Sequence, residues 1–262
     1  MTNPQNSYLN ETKSSLFRFK RFSIQQQHAA MKIGFDGILL GAWCCVDGYK
    51  RFLDVGTGTG LIALMIAQRT ESSDARGSDD VQIDAVEIDE AAGEEAALNF
   101  ERSPWPNQLR LFHEKFQTWR IQRNQQYDLI VCNPPFFSSH VAGPRGVTPR
   151  MTPRAVARQT SQLSLTDLFE GADSLLESHG RLCFIVPFDR NDEAIESAQH
   201  AGFSACRKLV VRSLPHKPPH RVLLEFVREP SSCAFDEIII ERSHHVYTPE
   251  FRRLARDFYL RF

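Results

Sequence analysis

The segment Arg51-Phe-Leu-Asp54-Val-Gly56-Thr57-Gly58-Thr-Gly60-Leu61 constrains this chain more than any other. A short apolar run enters a cluster of glycines, and Leu61–Gln68 beyond it has helical composition. That order reads as strand, tight turn and helix. Glycines let the backbone take φ > 0 and let a ligand approach the main chain, while the helix N-terminus offers unpaired N–H groups. The spacing is G-x-G-x-G, and Leu61 stands where a dinucleotide fingerprint would place its last glycine. No Lys-Ser or Lys-Thr follows, so the turn is not a P-loop. Asp54 just ahead of the glycines would repel a phosphate and suits a ligand carrying a cationic amino group.

From this turn onward strands and helices alternate. Strands are expected at Arg51–Val55, Ile83–Ile88, Leu109–His113, Tyr127–Cys132, Leu182–Val186, Phe203–Val211 and Val222–Phe226. Helices are expected at Leu61–Gln68, Glu90–Phe100, a segment opening at Leu165, and Asp192–Ala201. Ser164 and Asp167 have capping-box spacing, and Gly202 is placed to stop the helix before it. The pattern predicts an α/β domain with a seven-stranded, mostly parallel sheet. The last two strands are joined by Leu214-Pro-His-Lys-Pro-Pro-His, too short for a crossover helix, so they form a terminal antiparallel hairpin. Ligands in such sheets bind beyond the carboxyl ends of the strands. Glu87, at the end of the second strand, is placed to accept both hydroxyls of a ribose. S-adenosylmethionine combines that ribose with an ammonium and a sulfonium, which fits Asp54.

Composition narrows the functional classes. The chain has 262 residues, 42% hydrophobic and 24% charged, as a soluble globular protein does. Its 31 basic and 32 acidic residues exclude a generally basic nucleic-acid binder but leave room for a local basic patch. Acids concentrate between 71 and 101, whereas Lys13–Arg21, Arg145–Arg158 and Arg207–Arg221 are basic runs. No apolar stretch approaches the roughly 20 residues of a membrane span, and no signal peptide is expected in Met1–Ser15. The six cysteines form no C-x-x-C pair and read as small buried hydrophobes in a reducing cytoplasm. Neither they nor His244-His245 have metal-ligand spacing, so no metal is expected.

A second motif follows the fourth strand: Asp128-Leu-Ile-Val-Cys-Asn133-Pro134-Pro135-Phe136-Phe137. Two prolines force the chain out of the sheet in an extended loop, and the first also restricts Asn133. The Asn133 side-chain oxygen and the Pro134 carbonyl can then converge on one amino group. The Phe136 ring can lie against a planar base. These residues resemble the class I S-adenosylmethionine-dependent methyltransferases with an N-P-P-[YFW] motif, whose Rossmann-like fold this resemblance implies. Three further segments narrow the likeness: Gln26-Gln-His28-Ala-Ala-Met-Lys32-Ile-Gly-Phe-Asp36-Gly37, Leu214-Pro-His-Lys-Pro-Pro-His-Arg221, and Tyr247-Thr-Pro-Glu-Phe. They resemble the bacterial tRNA1(Val) adenine-37-N6 methyltransferases, which act on the adenine directly 3′ of the anticodon.

The resemblance implies that Asp54, Gly56, Thr57, Gly58, Gly60 and Glu87 line the cofactor site, with Lys32 and Asp36 in a segment packed over it. It implies that Asn133, Pro134, Pro135 and Phe136 hold the target adenine. Relatives commonly place an acid after the third strand; this chain has Lys115 there, so the contact to the cofactor's adenine stays unassigned. The basic residues Lys20, Arg21, Arg145, Arg150, Arg154, Lys217 and Arg221 are candidates for tRNA phosphates. The expected organisation is a disordered tail at 1–15 and one domain at 16–262. Within it, 16–50 cover the cofactor, 51–228 form the catalytic core, and 229–262 are an extension with a helix. The chain is expected to act as a cytoplasmic monomer, without metal or membrane. Rival readings are an N-P-P-F enzyme acting on another RNA or DNA adenine or on a protein glutamine, and a non-catalytic RNA-binding module. A nicotinamide oxidoreductase is disfavoured by Leu61.

Overall fold

A computed structural model describes residues 15–29, 31–73, 80–134, 163–230 and 232–261. An N-terminal antiparallel pair, β1 (Leu16–Arg18) and β2 (Ser23–Gln25), leads into α1 (Phe35–Trp43). The core follows as β3 (Arg51–Val55), α2 (Leu61–Ser73), β4 (Gln82–Glu87), α3 (Glu90–Glu101), β5 (Leu109–His113), α4 (Phe116–Trp119) and β6 (Tyr127–Cys132). Next come α5 (Leu165–Leu175), β7 (Leu176–Pro187), α6 (Asn191–His200), β8 (Ser204–Arg212) and β9 (Arg221–Val227). The chain closes with β10 (Ala234–Ile239), a small hairpin of β11 (Glu241–Ser243) and β12 (Val246–Tyr247), and α7 (Pro249–Ala255).

The main sheet runs β10-β8-β9-β7-β6-β3-β4-β5. β9 slots antiparallel between β7 and β8, and the other neighbouring pairs are parallel. This is the mostly parallel sheet with a β8–β9 hairpin that the pattern predicts, with one correction. The sheet has eight strands, not seven, because Ala234–Ile239 adds along β8. Its sequence alternates poorly, and most of it is exposed on both faces. An edge strand of that kind is recruited by backbone pairing and by the ion pair of Arg212 with Glu237 (2.5 Å), which leaves little hydrophobic signal.

Period-two alternation divides the core into two layers. Leu129, Val131, Cys183 and Ile185 face α1, α2 and α7, while Ile130, Cys132, Phe184 and Val186 face α4, α5 and α6. Four cysteines are buried as expected; Cys45 is half-buried and Cys233 exposed. The capping box on α5 forms as read, with the Ser164 hydroxyl accepting from the Asp167 N–H and the Asp167 carboxylate accepting from the Ser164 N–H. Gly202 takes φ 79° just after α6. Ser15 is already tied to the domain: its carbonyl accepts from the Gln26 N–H at 2.8 Å. No helix among the described residues is long and apolar enough to cross a membrane.

Candidate active site

β3 and β6 are neighbours, with Val55 paired to Cys132. The chain therefore leaves the sheet at Gly56 and at Asn133 from adjacent strands. This is the switch point of the sheet, since β4 and β5 extend to one side and β7 to the other. Both sequence motifs meet there because both follow strands pointing the same way.

Gly56, Gly58 and Gly60 take φ of 69°, 58° and 87°, which an L side chain rarely adopts. The N–H groups of Gly56 and Thr57 donate to the Val86 carbonyl at 2.8 and 3.1 Å, pinning the turn to β4. A Cβ on Gly56 or Gly58 would meet nothing within 4 Å, so the space before them is open. At Gly60 a Cβ would stand 2.4 Å from the Phe100 ring of α3. That glycine serves packing, and the other two serve turn geometry and access.

Asp54 is fully buried. Its Oδ2 accepts from the Thr57 hydroxyl (2.6 Å) and the Ala63 N–H (3.1 Å), while Oδ1 is buried without a partner. Burial pushes its carboxyl up to about 7, against the opposing pull of those two bonds, and the nearby Glu87 charge adds to the rise. Glu87, also buried, holds the other side of the turn. Its Oε2 accepts from the Gly58 N–H (2.8 Å), and Oε1 accepts from Ile88 (2.9 Å) and Asp89 (2.8 Å). Thr57 thus acts through Asp54, as a buried hydroxyl that orients the carboxylate.

These residues fit S-adenosylmethionine. An orphaned buried carboxylate oxygen calls for a hydrogen-bonded cation. Two acids bonded into the turn disfavour phosphate, and Glu87 beside the open glycines can take hydroxyls. The matching segment after β5 reaches the same place, since the Glu114 N–H donates to the Glu87 carbonyl at 3.0 Å. Lys115 there is the N-cap residue of α4.

Asn133 is half-buried and Pro134 buried. Among the described residues nothing hydrogen-bonds the Asn133 side chain. α1 crosses directly over it: a Cβ on Gly37 would come within 2.9 Å of Leu61 Cδ2 and 4.0 Å of Asn133 Nδ2. Pro135, Phe136, Arg145, Arg150 and Arg154 lie outside the described residues.

The other sequence candidates divide. The Lys32 ammonium donates to the carbonyls of Gln26 and Gln27, closing the segment on itself. Asp36, in the first turn of α1, accepts from Arg221 Nε at 2.8 Å and so joins a cofactor candidate to an RNA candidate. Lys20 donates to the Arg256 carbonyl, and Arg21 pairs with Glu71 (2.6 Å) and lies over Trp105. Glu71 is near the far end of α2 from the glycines, so Lys20 and Arg21 sit about 15 Å from the turn at 1.5 Å per residue. Lys217 is exposed on the β8–β9 loop. Arg207 is bound to the buried Glu225 (2.9 Å) and Arg212 to Glu237, which thins that basic run.

Three residues at the site were not singled out by sequence. Glu95 accepts from the N–H groups of Gln27 (2.5 Å), His28 (2.7 Å) and Ala29 (3.0 Å). Burial opposes its charge, but these bonds outweigh burial and hold its carboxyl below the usual range. One turn along, Asn99 accepts from the Gln25 N–H (2.8 Å) and donates to the carbonyls of Gln25 (3.0 Å) and Thr59 (2.9 Å). One amide thus fastens the N-terminal strap to the glycine turn itself. The signal was present in α3: Glu95 and Asn99 interrupt the buried stripe Ala92, Ala96, Phe100 at i, i+4 spacing. Gly37 is the third, and its close approach is visible only in three dimensions.

Residues 45–162 match the model of the Methyltransferase small domain. A tRNA1(Val) (adenine(37)-N6)-methyltransferase of Trichodesmium erythraeum is 42% identical over 246 residues, covering 94% of this chain and 98% of the relative. One of Flavobacterium psychrophilum is 39% identical over 247 residues, covering 94% and 100%. The chain belongs to the tRNA1(Val) (adenine(37)-N6)-methyltransferase family. In solved structures, an Agrobacterium tumefaciens protein described as a predicted O-methyltransferase superposes with TM-score 0.64 at 16% identity, covering 85% of this chain and 96% of its own. That likeness shows the class I methyltransferase fold. The 246-residue match extends well beyond the 45–162 segment and is long enough to include α1, which crosses over Asn133.

Proposed function

We propose that this chain transfers the methyl group of S-adenosylmethionine to N6 of adenine 37 in tRNA1(Val). The observation that carries this reading is the placement of Asn133-Pro134 beside the glycine turn at the switch point, under a helix from a strap that the family's full-length relatives share. The cofactor supplies a methyl group already activated on a sulfonium. The chain's own residues bind, orient and neutralise. Asp54 and Glu87 hold the cationic and hydroxyl groups of the cofactor. Asn133 Oδ1 and the Pro134 carbonyl accept the two N–H bonds of the adenine amine, draw its nitrogen toward tetrahedral geometry and carry positive charge as it develops. Phe136 stacks on the base. An adenine in a loop is already partly unstacked, so presenting it costs less than in a duplex. Lys217, Arg145, Arg150 and Arg154 supply phosphate contacts, and the chain works as a cytoplasmic monomer without metal.

The test is methyl transfer from labelled cofactor to total tRNA of a strain lacking the gene, followed by nucleoside digestion. Label in N6-methyladenosine at position 37 of tRNA1(Val) is the expected result. Label in another nucleoside, or none in tRNA, overturns the reading.

A further inference from the structure

The pair His244-His245, which has no metal-ligand spacing, lies at the tip of the β11–β12 hairpin. Their rings are 3.8 Å apart and both residues are exposed. His245 takes φ 62°, the one positive φ of a non-glycine residue among those described. Histidine is among the non-glycine residues enriched at such a position, so the turn accommodates the imidazole and leaves both rings exposed at its tip.

The hairpin emerges at the same edge of the sheet as the active site. β6, β7, β8 and β10 all point one way, so Asn133, the 213–220 loop and the 240–247 segment follow strand ends on one rim. Backbone bonds from Ile240 to the Arg212 carbonyl (2.9 Å) and from Glu241 to the Ser213 carbonyl (3.0 Å) join the hairpin to that loop. Phe35, at the start of α1, meets Tyr247 at 6.3 Å between centroids, two residues from the Gly37 that lies over Asn133. Four strand spacings separate β6 from β10, roughly 19 Å, too far to touch the target base and within reach of the flanking strand.

Charge selects the occupant. Arg253 and Arg256 of the α7 region face Glu250 (4.0 Å) and Asp257 (3.6 Å). Arg242 on the hairpin, next in sequence to Glu241, and Lys217 on the adjoining loop, next in sequence to His216, are exposed and make no ion pair with a described residue. Exposed cations beside a close, tilted pair of rings (43° between planes) suit an RNA strand: phosphates take the cations and an unpaired base takes a ring.

We infer that the β11–β12 hairpin is a second RNA-contacting element, with Arg242 on a phosphate and the His244–His245 rings against an unpaired base of the substrate RNA. This rests on the methyltransferase reading above. The experiment compares wild type with a triple variant, Arg242→Gln, His244→Ser and His245→Gly; glycine suits the φ of 62°, so the turn is preserved. The triple variant is expected to bind tRNA1(Val) transcript at least about five-fold more weakly, with the log–log salt slope smaller by about 1. The KM for tRNA rises, while cofactor affinity and turnover at saturating tRNA stay at wild-type values. Arg242→Lys alone keeps the slope. Unchanged tRNA affinity and slope in an active triple variant overturn the inference and leave the function standing. A wild type that neither binds nor methylates tRNA overturns both. A loss of self-association without loss of tRNA affinity overturns it in favour of a protein contact.

Discussion

If Asp54 holds the cofactor's ammonium as proposed, its buried carboxyl should make cofactor affinity depend on pH. Its Oδ1 has no partner and burial raises its carboxyl to about 7, so near neutrality the cofactor-free protein holds Asp54 in both forms. Only the ionised form can meet the cofactor's ammonium with full charge. The folded value lies above the ordinary 3.8, so the neutral form is favoured by folding. That contribution to stability is complete below the unfolded value and is lost as pH rises through about 7. Cofactor binding runs the other way and strengthens over the same window. With a midpoint of about 7, the ionised fraction grows from about 0.03 at pH ~5.5 to about 0.76 at pH ~7.5, a gain of about 25-fold in affinity. Titration calorimetry with S-adenosylhomocysteine across this range reads it directly. Paired buffers of different ionisation heat should show proton release on binding below the midpoint. Asp54→Asn should bind at the acid-limit affinity throughout, with most of the pH slope gone. An equal slope in wild type and in a folded Asp54→Asn protein would refute the assignment of the cation to Asp54.

Other outcomes follow from individual contacts. Asn133→Ala should lower turnover by about 10²–10³-fold with cofactor affinity unchanged, because the lost acceptor acts on charge that develops during transfer; single-turnover rates beside binding titrations check this. Glu95→Ala leaves the N–H groups of Gln27, His28 and Ala29 without their acceptor, so the strap should lose hydrogen-exchange protection at 27–29 and the protein about 2–3 kcal/mol of stability. The same bonds hold the Glu95 carboxyl low, so the stability they give is present above about 4.5 and falls away as the carboxyl protonates in acid; the strap should open there in wild type. Gly60→Ala combines an unfavourable φ with a clash against Phe100, and should cost about 2 kcal/mol or more in denaturant unfolding, partly recovered by Phe100→Leu.

The sequence alone determined the layout of the core. A strand running into Gly56, Gly58 and Gly60, and another running into Asn133-Pro134, are local patterns. Local patterns suffice because strand alternation, glycine conformation and proline restriction act over a few residues. The β8–β9 hairpin was legible for the same reason, its connection being too short for any other return. β10 escaped, because an exposed edge strand is held by ladder bonds and one ion pair and carries little hydrophobic period.

Only the tertiary structure decided which charges are free to act. Arg221 reads as an RNA ligand and Asp36 as a cofactor residue, yet they are paired with each other across 185 positions. Arg21 reads as part of a basic run, yet it is paired with Glu71 near the far end of α2. The same holds for Asn99, which binds Gln25 and Thr59, 74 and 40 positions away. Such pairings are set by which surfaces the fold brings within a few ångströms, and a charge or amide carries no trace of its distant partner in its own neighbourhood of sequence. Turn and strand are properties of the chain's local stereochemistry; the strap's latch, the orphaned oxygen of Asp54 and the unpaired cations at the rim are properties of the packed whole.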